Sequence, residues 1–339
     1  MAFENVGKVV MRTEQDEQTR AVRASSAVET GRAANRPADL IRLTKPRITM
    51  MVLVSSAAGF VIASGGHPHV GQLLVTMAGI GLVAGGTSAL NQLLERDVDA
   101  RMERTRGRPI PTGRVSPAAA ATFASVISLA GIALLALAVN PLTALLAAIA
   151  LFSYVLIYTP LKRVSSLSTL VGAIPGALPI MGGWTAARGD LGPGAWALFG
   201  IMFFWQLPHF LALAWLFRED YRRGGLQMLG VTDPAGGQTR SQAVLYALAL
   251  IPASLLPALL GLSGALYGLL AIGLGLAYLV AAVGFWSQAD SPSARRLFRT
   301  SLVYLPILLL VLSLNPGTGS ELPSETATAS RPVATAGSS

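Results

Sequence analysis

Nine stretches of the chain are almost purely apolar: residues 48–64, 72–94, 117–138, 141–158, 167–187, 193–217, 241–262, 265–286 and 299–315. Each lies near the ~20 residues that an α-helix needs to cross ~30 Å of hydrocarbon. Inside lipid a backbone must satisfy its own hydrogen bonds, so runs of this length span as helices. The pattern predicts an all-α integral membrane protein whose nine transmembrane helices bundle around a central cavity. The polar remainder sets the boundaries. Residues 1–38 and 316–339 are polar and rich in small residues and predict disordered tails, which leaves 39–315 as one nine-helix membrane domain. No apolar h-region follows Met1, and the acids of "TEQDEQ" do not suit a transit peptide.

Composition sharpens this. The 339 residues are 52% hydrophobic and only 13% charged, against about 25% charged in a soluble domain. The absence of cysteine excludes disulfides, thiolate metal sites and a thiol nucleophile. A net charge of +9 raises the question of nucleic acid, and the placement of the charge answers it. Of the 26 lysines and arginines, all but Arg188 and Arg331 precede the first span or fall in even-numbered loops. That is the positive-inside asymmetry, with the N-terminus inside and the C-terminus outside. The partner is therefore the lipid bilayer and not nucleic acid. Within the spans, Gly81/Gly85 and Gly172/Gly176 have GxxxG spacing suited to close helix approach. Pro175, Pro179 and Pro208 fall inside spans and predict kinks.

The chemistry concentrates in "NQLLERDVDARMERTRGRPIPTG", residues 91–113, directly after the second span. Asn91, Glu95 and Asp99 are four residues apart and stay within a sector of about 80° on a helix. Asp97 points away, toward Arg101 at i+4. Three hard oxygen-bearing side chains in line suit Mg²⁺, which takes one or two carboxylates plus substrate phosphates. Carboxylates at the C-terminal, negative end of a helix dipole call for a cation. Arg104, Arg106 and Arg108 follow, and Gly107 and Pro109 are expected to end the helix. Carboxylates for a divalent metal beside arginines for phosphate oxygens make a diphosphate site at a membrane edge. A second polar block, residues 203–225, puts Gln206 and His209 inside the sixth span and Glu219 and Asp220 at its inner end. Spans two and six run in the same direction, so both acid clusters surface at one membrane face. A transporter would instead place its ionisable groups near mid-span.

These residues resemble the UbiA superfamily of intramembrane prenyltransferases. Its first motif, N-x-x-x-[D/E]-x-x-x-D followed by R-[S/T]-x-x-R and a glycine, is matched by Asn91, Glu95, Asp99, Arg104, Thr105, Arg108 and Gly113. "YTPLKR" (158–163) and "WQLPHFLALAWLFREDYRRGG" (205–225) are similar to the branch of the superfamily that farnesylates haem b. The resemblance covers about residues 40–315. It implies a Mg²⁺-dependent enzyme of haem biosynthesis in the cell inner (plasma) membrane, with its active site toward the cytoplasmic face. The substrates it implies are farnesyl diphosphate and haem b, the products haem O and diphosphate, and the downstream partners a haem A synthase or terminal oxidase assembly. By position, Asn91, Glu95 and Asp99 would hold the metal and diphosphate, and Arg104, Arg108 and Lys162 would neutralise phosphate oxygens. Tyr158 would hydrogen-bond a phosphate, and His209 would contact the haem. Asp220 stands where the second acidic motif ends and is the expected fourth metal ligand. That motif is usually D-x-x-x-D, but Leu216 occupies the earlier position, which leaves Glu219 as the adjacent acid. His67 and His69 are expected at the surface. An aromatic quinone precursor as acceptor, and a non-enzymatic transporter or assembly factor, are the alternatives.

Overall fold

The computed structural model describes residues 36–315 and Gly317. The tails expected over 1–38 and 316–339 thus lie outside the described residues, except for Gly317 and for residues 36–38, which already belong to a helix. The elements in chain order are α1 (Arg36–Leu43), α2 (Pro46–Ala63), α3 (Val70–Leu94), α4 (Arg96–Arg101), α5 (Pro117–Ala138) and α6 (Pro141–Phe152). A π-helical turn (Ser153–Tyr158) and α7 (Thr159–Leu161) complete the fourth span. There follow α8 (Ser168–Arg188), α9 (Pro193–Leu216), α10 (Arg218–Gly224), α11 (Leu229–Thr232), α12 (Gly237–Leu259), α13 (Ala265–Gln288) and α14 (Ser291–Leu314). Among the described residues nine helices are long and apolar enough to cross a membrane, in line with the hydropathy pattern.

Local chemistry sets where the spans begin. Ser116, Asn140 and Asp290 accept N–H bonds from Ala119, Thr143 and Ser293, and each cap is followed by a proline in the first turn. A side-chain oxygen satisfies a donor that the helix cannot, and proline needs none there. This is why the ninth span starts at Ser291, eight residues before the apolar run: its arginines lie inside a capped helix, not in a loop.

Spans pack in a closed ring, with α14 meeting α2 again. The most buried are α8 and α9, whose apolar windows are 67% and 61% buried against 28–39% for the others. Backbones come close where side chains vanish. A methyl group on Gly183 would strike the Ser56 carbonyl, and one on Gly59 the Ile180 carbonyl, so α2 and α8 cross on two glycines. Of the glycine pairs expected to mediate packing, Gly172 lies under the Tyr158 ring and Gly176 against Gln206. In α3 the tightest approaches fall at Gly79 and Gly86, toward α5, and not at Gly81 and Gly85. Pro175, Pro179 and Pro208 all lie within helices.

Candidate active site

The polar stripe forms where α3 ends. Glu95 breaks the helix at φ −96° and ψ 8°, and α4 begins immediately after it. The stripe therefore crosses a break and is not carried on one continuous helix. Its register survives because Glu95 N–H bonds to the Asn91 carbonyl at 3.0 Å and Asp99 N–H to the Glu95 carbonyl at 2.7 Å. Asn91, Glu95 and Asp99 are all buried, and Asp99 is fully so. Asp97 is exposed and pairs with Arg96; Arg101 reaches its backbone carbonyl and not its carboxylate. The helix ends at Arg101, earlier than Gly107 and Pro109 suggested, and residues 102–115 run on as successive turns. Gly113 sits there at φ +72°, a conformation that favours glycine.

Each member of the stripe meets a cation of the chain. Lys162 pairs with Glu95. Arg108 donates to Asp99 Oδ2 at 2.6 Å. Lys45 Nζ donates to Asn91 Oδ1 at 2.9 Å. A cation at the negative end of α3 was expected, and the protein supplies three. Lys45 joins the candidate site without having been singled out in the sequence, where it stood only among the basic residues of the N-terminal segment. Burial, then the neighbouring Arg108 guanidinium, push its amine down to about 7. Burial also raises the Asp99 carboxyl, against the pull of Arg108. A cleft of about 360 Å³ opens beside these residues, and Arg42, Lys45, Arg104, Arg108 and Arg114 supply its cationic wall.

Hard oxygen donors in this arrangement suit a magnesium ion. The buried Asp99 Oδ1 has no hydrogen-bond partner, and an unpaired buried carboxylate oxygen fits a small hard cation. Among the described residues no group of three or more His, Cys, Asp and Glu could hold a metal by itself. The protein thus offers at most two carboxylates here, and substrate phosphates would complete the coordination.

The second acidic block reaches the first through the short helices, not through the spans. Gly224 packs against Val98 and Met102, and those two residues cluster with Leu226 and Met228. Asp220 accepts the backbone N–H groups of Glu103 (3.3 Å) and Arg104 (3.4 Å) and lies near Arg223. The structure does not gather it with Glu95 and Asp99, because its carboxylate caps the turn that carries Arg104. Arg104 in turn lies 4.6 Å over the Phe217 ring. Glu219 is exposed and pairs with Arg222 and Arg223. Tyr158 lies under Lys162, whose amine is 4.9 Å from the ring centre. His209 packs toward α14: its Nδ1 is 2.7 Å from Ser301 Oγ, and its ring lies against Trp205 and Phe298. His67 and His69 are exposed, and His69 caps α3 through Gln72 N–H.

Residues 52–305 match the model of the UbiA prenyltransferase family. The chain belongs to this family. A relative from Solibacter usitatus, named protoheme IX farnesyltransferase, is 46% identical over 292 residues, covering 82% of this chain and 99% of that one. The fold recurs in solved UbiA structures. A structure of digeranylgeranylglyceryl phosphate synthase aligns with a TM-score of 0.70 at 16% identity, covering 82% of this chain and 97% of that one. The UbiA homolog from Archaeoglobus fulgidus, bound to GPP and Mg²⁺, aligns at 0.60 and 16%, covering 81% and 99%. The protein is a multi-pass membrane protein with the UbiA fold.

Proposed function

We propose that the protein transfers the farnesyl group of farnesyl diphosphate to the terminal carbon of a haem b vinyl group, with water adding to the neighbouring vinyl carbon, which carries the resulting cation, and a proton being released, to give haem O and diphosphate. The observation that carries the reading is the Asn91–Glu95–Asp99 stripe with Lys45, Arg108 and Lys162 in contact with it. The relative named protoheme IX farnesyltransferase supports haem b as acceptor. The reaction breaks the allylic C–O bond and builds charge on the departing diphosphate. Magnesium, when bound, would supply Lewis-acid stabilisation of that charge, held by Asn91, Glu95 and Asp99. The remaining contribution is the chain's own. Lys45, Arg104, Arg108 and Lys162 present cations to phosphate oxygens, each contact contributing roughly 4 kcal/mol at ~4 Å and an effective dielectric of about 20. Asp220 takes part by fixing the Arg104 turn, Tyr158 by backing Lys162, and His209 by meeting the acceptor within the bundle. Glu219 holds Arg222 and Arg223 at the rim. The charge asymmetry supports an N-terminus inside, a C-terminus outside and a site facing the cytoplasm across the inner membrane. A haem A synthase or terminal oxidase assembly would consume the product.

Incubating membranes that hold the protein with haem b, farnesyl diphosphate and Mg²⁺ tests this. Mass spectrometry should find haem O, and chelating the magnesium should abolish it. Prenylation of an aromatic quinone precursor with haem b untouched would overturn the acceptor. Folded protein that prenylates neither would leave a transporter or assembly role.

A further inference from the structure

The fourth span is not a regular α-helix throughout. Its helix widens into a π turn over Ser153–Tyr158, just before "TP". Pro160 supplies the local reason. In an α-helix its ring would strike the carbonyl four residues back, Leu156, and it has no N–H to donate. The wider turn shifts the register to i−5, so Thr159 N–H meets the Tyr154 carbonyl. Single π turns of this kind concentrate at functional sites.

The shift has a consequence at Thr159. Its hydroxyl also donates to the Tyr154 carbonyl, at 2.8 Å. With its proton committed there, Thr159 Oγ1 is left as an acceptor, and Asn91 Nδ2 donates to it at 3.2 Å. The other bond from that nitrogen goes to Glu95 Oε2 at 3.0 Å. Asn91 Oδ1 then faces Lys45. Chemistry alone fixes this orientation, since an ammonium only donates and a carboxylate only accepts. Asn91 and Thr159 are each 2% exposed, so solvent cannot take over the role of the hydroxyl. Both partners are held firmly: the Lys162 carbonyl, three residues on, accepts Gln227 N–H at 2.7 Å, and Arg163 caps the end of α3 at Leu94 O.

We infer that Thr159 is a positioning residue, which through the π turn locks the Asn91 amide so that its oxygen, not its nitrogen, faces the bound metal–diphosphate. The inference rests on the diphosphate reading of the stripe. Loss of the hydroxyl would leave one buried amide hydrogen of Asn91 without an acceptor, and would so loosen the amide and weaken ligand binding without touching the ligand.

The test uses the full chain in proteoliposomes and five forms: wild type, Thr159→Val, Thr159→Ser, Asn91→Ala and Asn91→Ala/Thr159→Val. Two quantities are read: the Mg²⁺ concentration giving half-maximal turnover, and the rise in thermal midpoint caused by Mg²⁺ with inorganic pyrophosphate. Thr159→Val should raise the Mg²⁺ requirement roughly three- to tenfold, the range set by loss of one buried hydrogen bond. It should also shrink the pyrophosphate-induced rise, measured from the variant's own ligand-free midpoint. Thr159→Ser should restore both. The double variant should be no worse than Asn91→Ala alone, because Thr159 acts through Asn91. An unchanged Mg²⁺ requirement in Thr159→Val, a Thr159→Ser as impaired as the valine, or additive losses in the double variant would each overturn the role of Thr159. A wild-type chain that shows no rise with Mg²⁺ and pyrophosphate would overturn the diphosphate reading beneath it.

Discussion

Asp99 concentrates the chemistry of the site in one side chain. It is fully buried, one oxygen is bound by Arg108 and the other is unpaired. Asp99→Asn should keep the fold and lose roughly a hundredfold or more in turnover, the scale seen when one preorganised charge contact is removed; product formation beside a thermal melt checks both halves. Lys45 sits in the left-handed region at φ 48°, directly before Pro46. Residues before proline prefer extended backbone, so this is a strained placement that delivers its amine to Asn91. Lys45→Met should raise the KM for farnesyl diphosphate about tenfold with a smaller change in kcat, measurable by steady-state kinetics. The stripe was legible in the sequence because its period of four survives the break at Glu95. Lys45 and Thr159 were not, because they reach Asn91 across 46 and 68 residues and share no sequence period with it. Asp220 was visible as an acid near the site, but a backbone-capping role leaves no signature in residue type.

Elements are governed by their ends. Hydropathy located all nine spans but placed the start of α14 late, since arginines in the early turns of a helix look like a loop until the cap ahead of them is seen. Asp290 accepts from Ser293 and from its backbone N–H, and these bonds hold its carboxyl below its ordinary value. A depressed carboxyl contributes stability above its unfolded pKa and loses it as pH falls through the folded one. Asp290→Ala should therefore lower the thermal midpoint at neutral pH. The gap to wild type should close as the pH drops below the usual carboxylate range, which a series of melts from pH 7 downward would show. The α4 region was less legible. The polar content of residues 96–109 fits a longer helix equally well, and only the turns fastened by Thr105 to the Asp99 carbonyl and Arg114 to Asp39 decide otherwise.

For the whole molecule, the crossing of α2 and α8 joins the half of the bundle that carries the stripe to the half built around the large apolar core of α8, α9, α12, α13 and α14. Gly183→Val would place branched carbon against the Ser56 carbonyl, which helix backbone cannot yield without moving. Loss of several degrees in thermal midpoint, or of recoverable folded protein, is the expected outcome in a detergent melt. The order of spans around the ring was beyond the sequence, because most spans read as apolar on nearly all sides and none announces its neighbour.

The pairing of Lys162, Arg108 and Lys45 with the stripe also bears on turnover. On the proposed reading, an incoming diphosphate does not meet bare cations; it displaces resident partners from them. Its affinity is then a difference between two sets of contacts, smaller than the same cations would give if left unattended. Once the prenyl chain has departed, the carboxylates and the amide can reclaim their lysines and arginine and help expel the pyrophosphate. On that reading, self-neutralisation lets the pocket rest at a lipid boundary, and it equally keeps the pocket from being trapped by its own by-product.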